Sequence, residues 1–131
     1  MNKICTSIEQ SKKLIELGIS VDTADMFWTY DFVVNYINGL NVILDNFKPE
    51  ENDIPAWSLS ALLELIPPYL GEFKDGIDFV FSKAMNGKWY SAHYTKINNN
   101  GLVSFSKTIP GDTAIDAAFE MVCWLRENNK I

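Results

Sequence analysis

Apolar and polar positions alternate with two different periods along this chain, and the changes of period mark its elements. Near the N-terminus Ile4, Ile8, Ser11 and Ile15 recur at helical spacing with Leu14 beside them, which predicts a helix over about 7–17 with those residues as its inner stripe. Two capping boxes overlap at its start, Thr6 with Glu9 and Ser7 with Gln10. Gly18 stands where a helix end takes the left-handed conformation. After a polar connection the period changes to two: Trp28, Tyr30, Phe32, Val34 and Tyr36 fall on one face of a predicted strand. Asn38-Gly39 then reads as a two-residue turn, with 40–47 returning as the second strand of an N-terminal hairpin.

A very apolar stretch at 54–66 predicts the second helix, with Asp53 or Ser58 as its cap, Pro55 in its first turn and Pro67-Pro68 as its stop. Apolar residues on most of its circumference imply burial on more than one side. Residues 77–84, 88–97 and 102–109 read as a three-stranded meander joined by Asn86-Gly87 and by residues 98–101. A two-residue turn at Asn86-Gly87 sets Phe81 opposite Ala92 and Phe79 opposite Tyr94. A four-residue second turn sets Tyr94 opposite Phe105 and Lys96 opposite Val103. Those registers gather Phe79, Phe81, Ala92, Tyr94, Val103 and Phe105 on one face, and Ser82, Ser91, His93, Thr95, Ser104 and Ser106 on the other. The last helix, about 113–128, opens on Thr113 and Asp116, carries Arg126 and Lys130 near its end, and has Asn128-Asn129 as left-handed terminators. The expected fold class is α+β: an antiparallel sheet, made of an N-terminal hairpin and the meander, packed against three helices (about 7–17, 54–66 and 113–128).

Composition narrows the class. At 131 residues and 47% hydrophobic, the chain fits a single domain, 1–131, with a core of its own. Its net charge of −6 is uneven: residues 22–64 hold eight acids and one base, whereas 74–107 hold five lysines and two acids. Scattered lysines do not make the basic stripe of a nucleic-acid binder, so no nucleic-acid partner is expected. The first residues lack a signal peptide's apolar run, and no apolar stretch is long enough to span a bilayer. No membrane partner is expected, and the cytoplasm is the expected location. Cys5 and Cys123 stand alone, without CxxC spacing, and are expected as free thiols in a reducing compartment; the alternative is that the two lie close together in the fold.

Several strings have a familiar look. Ile8 to Leu14 (IEQSKKL), Thr23 to Met26 (TADM), IPAWSLSALL at 54–63 and DAAFEMVCWL at 116–125 together resemble a group of short uncharacterised proteins of gut anaerobic bacteria and their phages or mobile elements. The resemblance implies a bacterial or phage accessory protein. It brings no activity, cofactor or site residue with it.

Chemistry is sparse. His93, the lone histidine, could pair with Ser106, but a Ser–His nucleophile also needs an orienting acid and a strained turn, and no G-x-S-x-G is present. Asp22 with Asp25, and Glu50 and Glu51 with Asp53, are the local carboxylate clusters; beside loops and helix starts they read as caps and solvated charge. Single glycines at turns give no phosphate loop. No catalytic, cofactor-binding or metal-binding residue is therefore expected, and no cofactor. Trp57 and Trp124 read as core. Trp89, expected on the polar side of the meander, is the foremost candidate for touching a partner, followed by Trp28 and Tyr30. The favoured reading is a protein-interaction or adaptor module without catalytic activity, working on an unknown protein partner or by self-association. The alternatives are a small enzyme or ligand-binding domain with an unrecognised pocket, and an acidic decoy for a nucleic-acid-binding protein.

Overall fold

The computed structural model describes residues 3–28, 40–42, 52–68, 79–97 and 103–131, and the side chains of all these except 40–42, 92–97 and 103–106. Within them the chain forms three helices, α1 (Ile8–Glu16), α2 (Leu59–Leu65) and α3 (Ala114–Glu127), and two antiparallel three-stranded sheets. One sheet has β1 (Met26–Trp28) between β2 (Leu40–Val42) and β3 (Ile54–Ala56). The other is the meander of β4 (Phe79–Lys83), β5 (Trp89–Ile97) and β6 (Val103–Gly111). The α+β layout expected from the sequence is the one observed. No helix among the described residues is long and apolar enough to cross a membrane.

Of the two capping boxes offered at α1, Ser7 with Gln10 forms: Ser7 Oγ accepts from Gln10 N at 3.1 Å and Ser7 N donates to Gln10 Oε1 at 3.0 Å. Gly18, at φ 84°, closes the helix, with Gly18 N and Ile19 N donating to the carbonyls of Ile15 and Leu14. The inner face differs from the predicted stripe. Ser11 and Leu14 are buried, whereas Ile4 and Ile15 are exposed. Ser11 can lie inside because its hydroxyl meets Thr6 Oγ1 at 2.8 Å. α3 starts at its Thr113 cap, as expected, and Asn129 ends it at φ 55°, with Lys130 N donating to Leu125 O.

Three expectations are corrected. Residues 54–56 are not the start of the second helix but a strand, in which Pro55 sits opposite Phe27 on what is, among the described residues, an edge of the sheet, where a residue without an N–H is tolerated. Ser58 is the true cap of α2, accepting from Ala61 N, because Trp57 is held extended by Thr6: Thr6 N donates to Trp57 O, and Trp57 N to Thr6 Oγ1. The N-terminal hairpin is not centred on Asn38-Gly39. Trp28 pairs with Leu40 and Met26 with Val42. A two-residue turn at Asn38-Gly39 would pair Leu40 with residue 37, so the pairing of Leu40 with Trp28 excludes it. Tyr30, Phe32, Val34, Tyr36, Asn38, Gly39 and residues 43–47 lie outside the described residues.

The third correction concerns the meander. Ala84 N donates to Lys88 O and Gly87 N to Ala84 O, and only Gly87, at φ 86°, is left-handed there. The loop is therefore Met85-Asn86-Gly87, a three-residue connection ending in a glycine bulge, not a two-residue turn. Asn86 supports it by accepting from Lys88 N. The extra residue shifts the register by one: Phe81 faces Ser91 and Phe79 faces His93. Parity flips accordingly, and Ser91 is fully buried, its hydroxyl donating to Ala117 O at 3.0 Å. Beyond irregularities on either side of Tyr94, the expected Tyr94–Phe105 pair is found, but Lys96 pairs with Ser104 and Ile97 with Val103.

The main core lies between α2, α3 and β6, with Leu14, Trp57, Leu62, Val122 and Leu125 among its buried residues. α3 is buried on most of its circumference, at Ile115, Ala117, Ala118, Phe119, Met121, Val122, Cys123 and Leu125. The helix lies directly on β6, where a Cβ added to Gly111 would stand 2.3 Å from Ala117 N. α1 and α3 are tied at both ends. Asp116 Oδ1 accepts from Lys3 Nζ at 2.7 Å and Gln10 Nε2 at 2.9 Å, and Arg126 donates to Leu17 O and Ile131 O.

Candidate interaction surface

A groove of about 530 Å³ runs between β6 and α3. Its position follows from the close approach at Gly111, which fixes the start of α3 on the strand. Ile109, Phe119 and Cys123, all buried, lie at its apolar base, and Trp124 is half-buried on its wall. Lys107, Thr108, Pro110 and Glu120 are exposed along it, and Lys13 meets Glu127 at 3.6 Å across one end. An apolar base with a polar rim is the anatomy of a contact surface.

Among the described residues β6 is an edge of its sheet. Bonded and non-bonded pairs alternate along antiparallel strands. Counted from Ala84 and Lys88, that alternation makes Ser91–Ile109 a bonded pair and turns the backbone groups of Thr108 and Pro110 away from β5. Pro110 has no N–H to lose, which fits its position. The edge thus offers the N–H and carbonyl of Thr108 and the carbonyl of Pro110.

The electrostatics of the groove do not favour bond-making. Burial pushes the Cys123 thiol up to about 12, with Glu120 and Glu127 adding to the rise against Lys13. The thiolate is the nucleophile, so this sulfur is inert at neutral pH. Cys5 is likewise pushed up to about 11, first by burial. Both cysteines are free and buried, and they belong to different apolar clusters. Asp116 behaves oppositely: burial works to raise its pKa, but hydrogen bonds from Lys3 and Gln10 outweigh it and hold the carboxyl below its usual value.

The residues singled out from the sequence scatter over the fold. Trp89 is half-buried and belongs to the row of Phe81 and Ser91 facing α3, not to the polar side. Its ring stacks on Phe81 at 5.2 Å, and Lys83 Nζ lies 5.8 Å above it. Trp28 packs against the cluster of Cys5, Met26 and Ala56 and donates from Nε1 to Thr6 O at 3.0 Å. Tyr30 lies outside the described residues. Trp57 is core, as expected, and donates to Thr23 Oγ1 at 2.9 Å. Trp124 has a second role on the groove wall, a role that the apolar pattern of α3 did not mark. His93 pairs with Phe79 and Lys107, not beside Val80 and Ser106.

The carboxylate clusters do not converge. Asp25 accepts from Ser58 N at 2.9 Å and from Ser58 Oγ, while Asp22 is exposed in the short turn Val21–Thr23. Glu50 and Glu51 lie outside the described residues. Among the described residues no three His, Cys, Asp or Glu side chains come together as a metal site. The strings behind the resemblance are structural where they are described: IPAWSLSALL is β3 with α2, and DAAFEMVCWL is the body of α3. Comparison with protein-family models, curated proteins and solved structures finds no match to the chain.

Proposed function

We propose that this chain is a protein-interaction module without catalytic chemistry, and that it docks an extended polypeptide segment along the open edge of β6. The observation that carries the reading is the groove itself. An apolar base and Trp124 lie beside a strand edge whose Thr108 can both donate and accept. Main-chain pairing with the edge would supply affinity, and side chains entering the groove would supply selectivity. The enzyme alternative calls for groups tuned toward titration near neutrality. The groove's thiol is tuned away from it. A reducing compartment, the cytoplasm, suits a protein whose two cysteines are buried and free.

The test is selection of extended peptides from a random display library, with light scattering at micromolar concentration to follow self-association. Selected peptides are expected to lose roughly tenfold in affinity, about 1.4 kcal/mol, on Trp124→Ala. Thr108→Pro, which removes the outward N–H, should weaken them similarly in protein that still melts cooperatively. Peptides indifferent to both substitutions would refute the reading, as would a strict monomer that selects none.

A further inference from the structure

We propose that, among the described residues, Met85 is the one at which peroxides reversibly oxidise this folded chain, ahead of both cysteines. Thiols ordinarily react before thioethers, so the order here would be reversed by the fold. Cys5 and Cys123 are 2% and 5% exposed, Met26 and Met121 8% and 0%. Met85 stands fully exposed, at 107%, on the tip of the β4–β5 hairpin. Its turn holds it there: the Gly87 bulge and the Asn86 side chain satisfy the backbone around it without using the methionine. Burial also keeps both thiols protonated, removing their reactive form.

The step balances with the peroxide alone. A sulfur lone pair of Met85 attacks the nearer peroxide oxygen, the S–O bond forms and the O–O bond breaks. Sulfur is oxidised by two electrons, and the peroxide is reduced to an alcohol or water as its proton moves to the departing oxygen. The product is a polar sulfoxide on a surface tip, where methionine sulfoxide reductases can restore the thioether at the expense of a dithiol. The inference is independent of docking at β6.

The experiment is hydrogen peroxide treatment of the full-length folded protein, followed in time by peptide mapping. Met85 should gain one oxygen roughly tenfold or more faster than Met26 and Met121, and before either thiol is consumed. Met85→Leu should abolish this fast step and leave the circular dichroism unchanged. In guanidinium Met26, Met85 and Met121 should react alike and the thiols should overtake them. Reductases for the two sulfoxide epimers should then remove the added mass from the native protein. Oxidation of Met26, Met121 or a thiol at the rate of Met85 in the folded chain would overturn the proposal, as would an order unchanged by guanidinium.

Discussion

Around α3 the chain is held by volume. Leu14, Leu62, Val122 and Leu125 are fully buried, and the helix backbone presses onto β6 at Gly111. Around β1 it is held by direction. The apolar cluster there is small, Cys5, Met26 and Ala56 with Trp28 against it. Hydrogen bonds close it: Thr6 accepts from the Trp57 amide and the Trp28 indole and shares a hydrogen bond with the Ser11 hydroxyl, and Asp25 takes both donors of Ser58. The difference is instructive about tolerance. A packed region should punish added or lost atoms whatever their polarity, whereas a bonded region should punish lost polarity at constant shape.

Four substitutions probe this contrast. Gly111→Ala should have the largest effect, about 3 kcal/mol of lost stability by denaturant titration, because the new methyl meets Ala117 backbone that can yield only by moving α3. A loss below about 1 kcal/mol would show that the seam between α3 and β6 is looser than its geometry. Thr6→Val keeps shape and removes the hydroxyl. It should cost about 2 kcal/mol, since the Trp57 amide and the Ser11 hydroxyl are left buried without it. Adding Ser11→Ala should recover part of that loss, and failure to recover any would mean that shape, not bonding, governs the β1 region. Asp116→Asn should cost least, about 1 kcal/mol at neutral pH. Its sign with pH is fixed: a carboxyl whose pKa is lowered on folding stabilises above its unfolded value of 3.8 and loses that contribution as pH falls below it. The wild-type advantage over the variant should therefore shrink on acidification below about pH 4, and thermal melts across that range would read it.

The same contrast explains what the sequence disclosed. Helices whose ends carry side-chain and backbone caps were legible: Ser7 with Gln10, Thr113, Gly18 and Asn129 act where their residue types suggest. The burial of Trp57 was legible because volume is written in apolar spacing. Registers were not. Asn86-Gly87 marks a turn truly but does not say whether two or three residues form it, and that one residue moved Ser91 from the open face into the core. Residues 54–56 were misread because their apolar pattern suits a helix, and only Thr6, some fifty positions away, holds Trp57 extended. The groove was hidden for a related reason. Trp124 follows the helical pattern of a core residue, and its exposure depends on how far β6 extends beside α3.

The ties between α1 and α3 can also be read as a matter of poles. Gln10 and Asp116 join the two starts, Leu17 and Arg126 the two ends, so the helices run in the same direction. Parallel helices bring like dipole ends together, which is unfavourable on its own. Here Asp116 sits at both positive ends, with Glu9 also in the first turn of α1, and Arg126 sits at both negative ends, with Lys13 also in the last turn of α1. Asp116, itself paired with Lys3, and Arg126 thus each serve two like poles at once, one acid and one base shared between two helices.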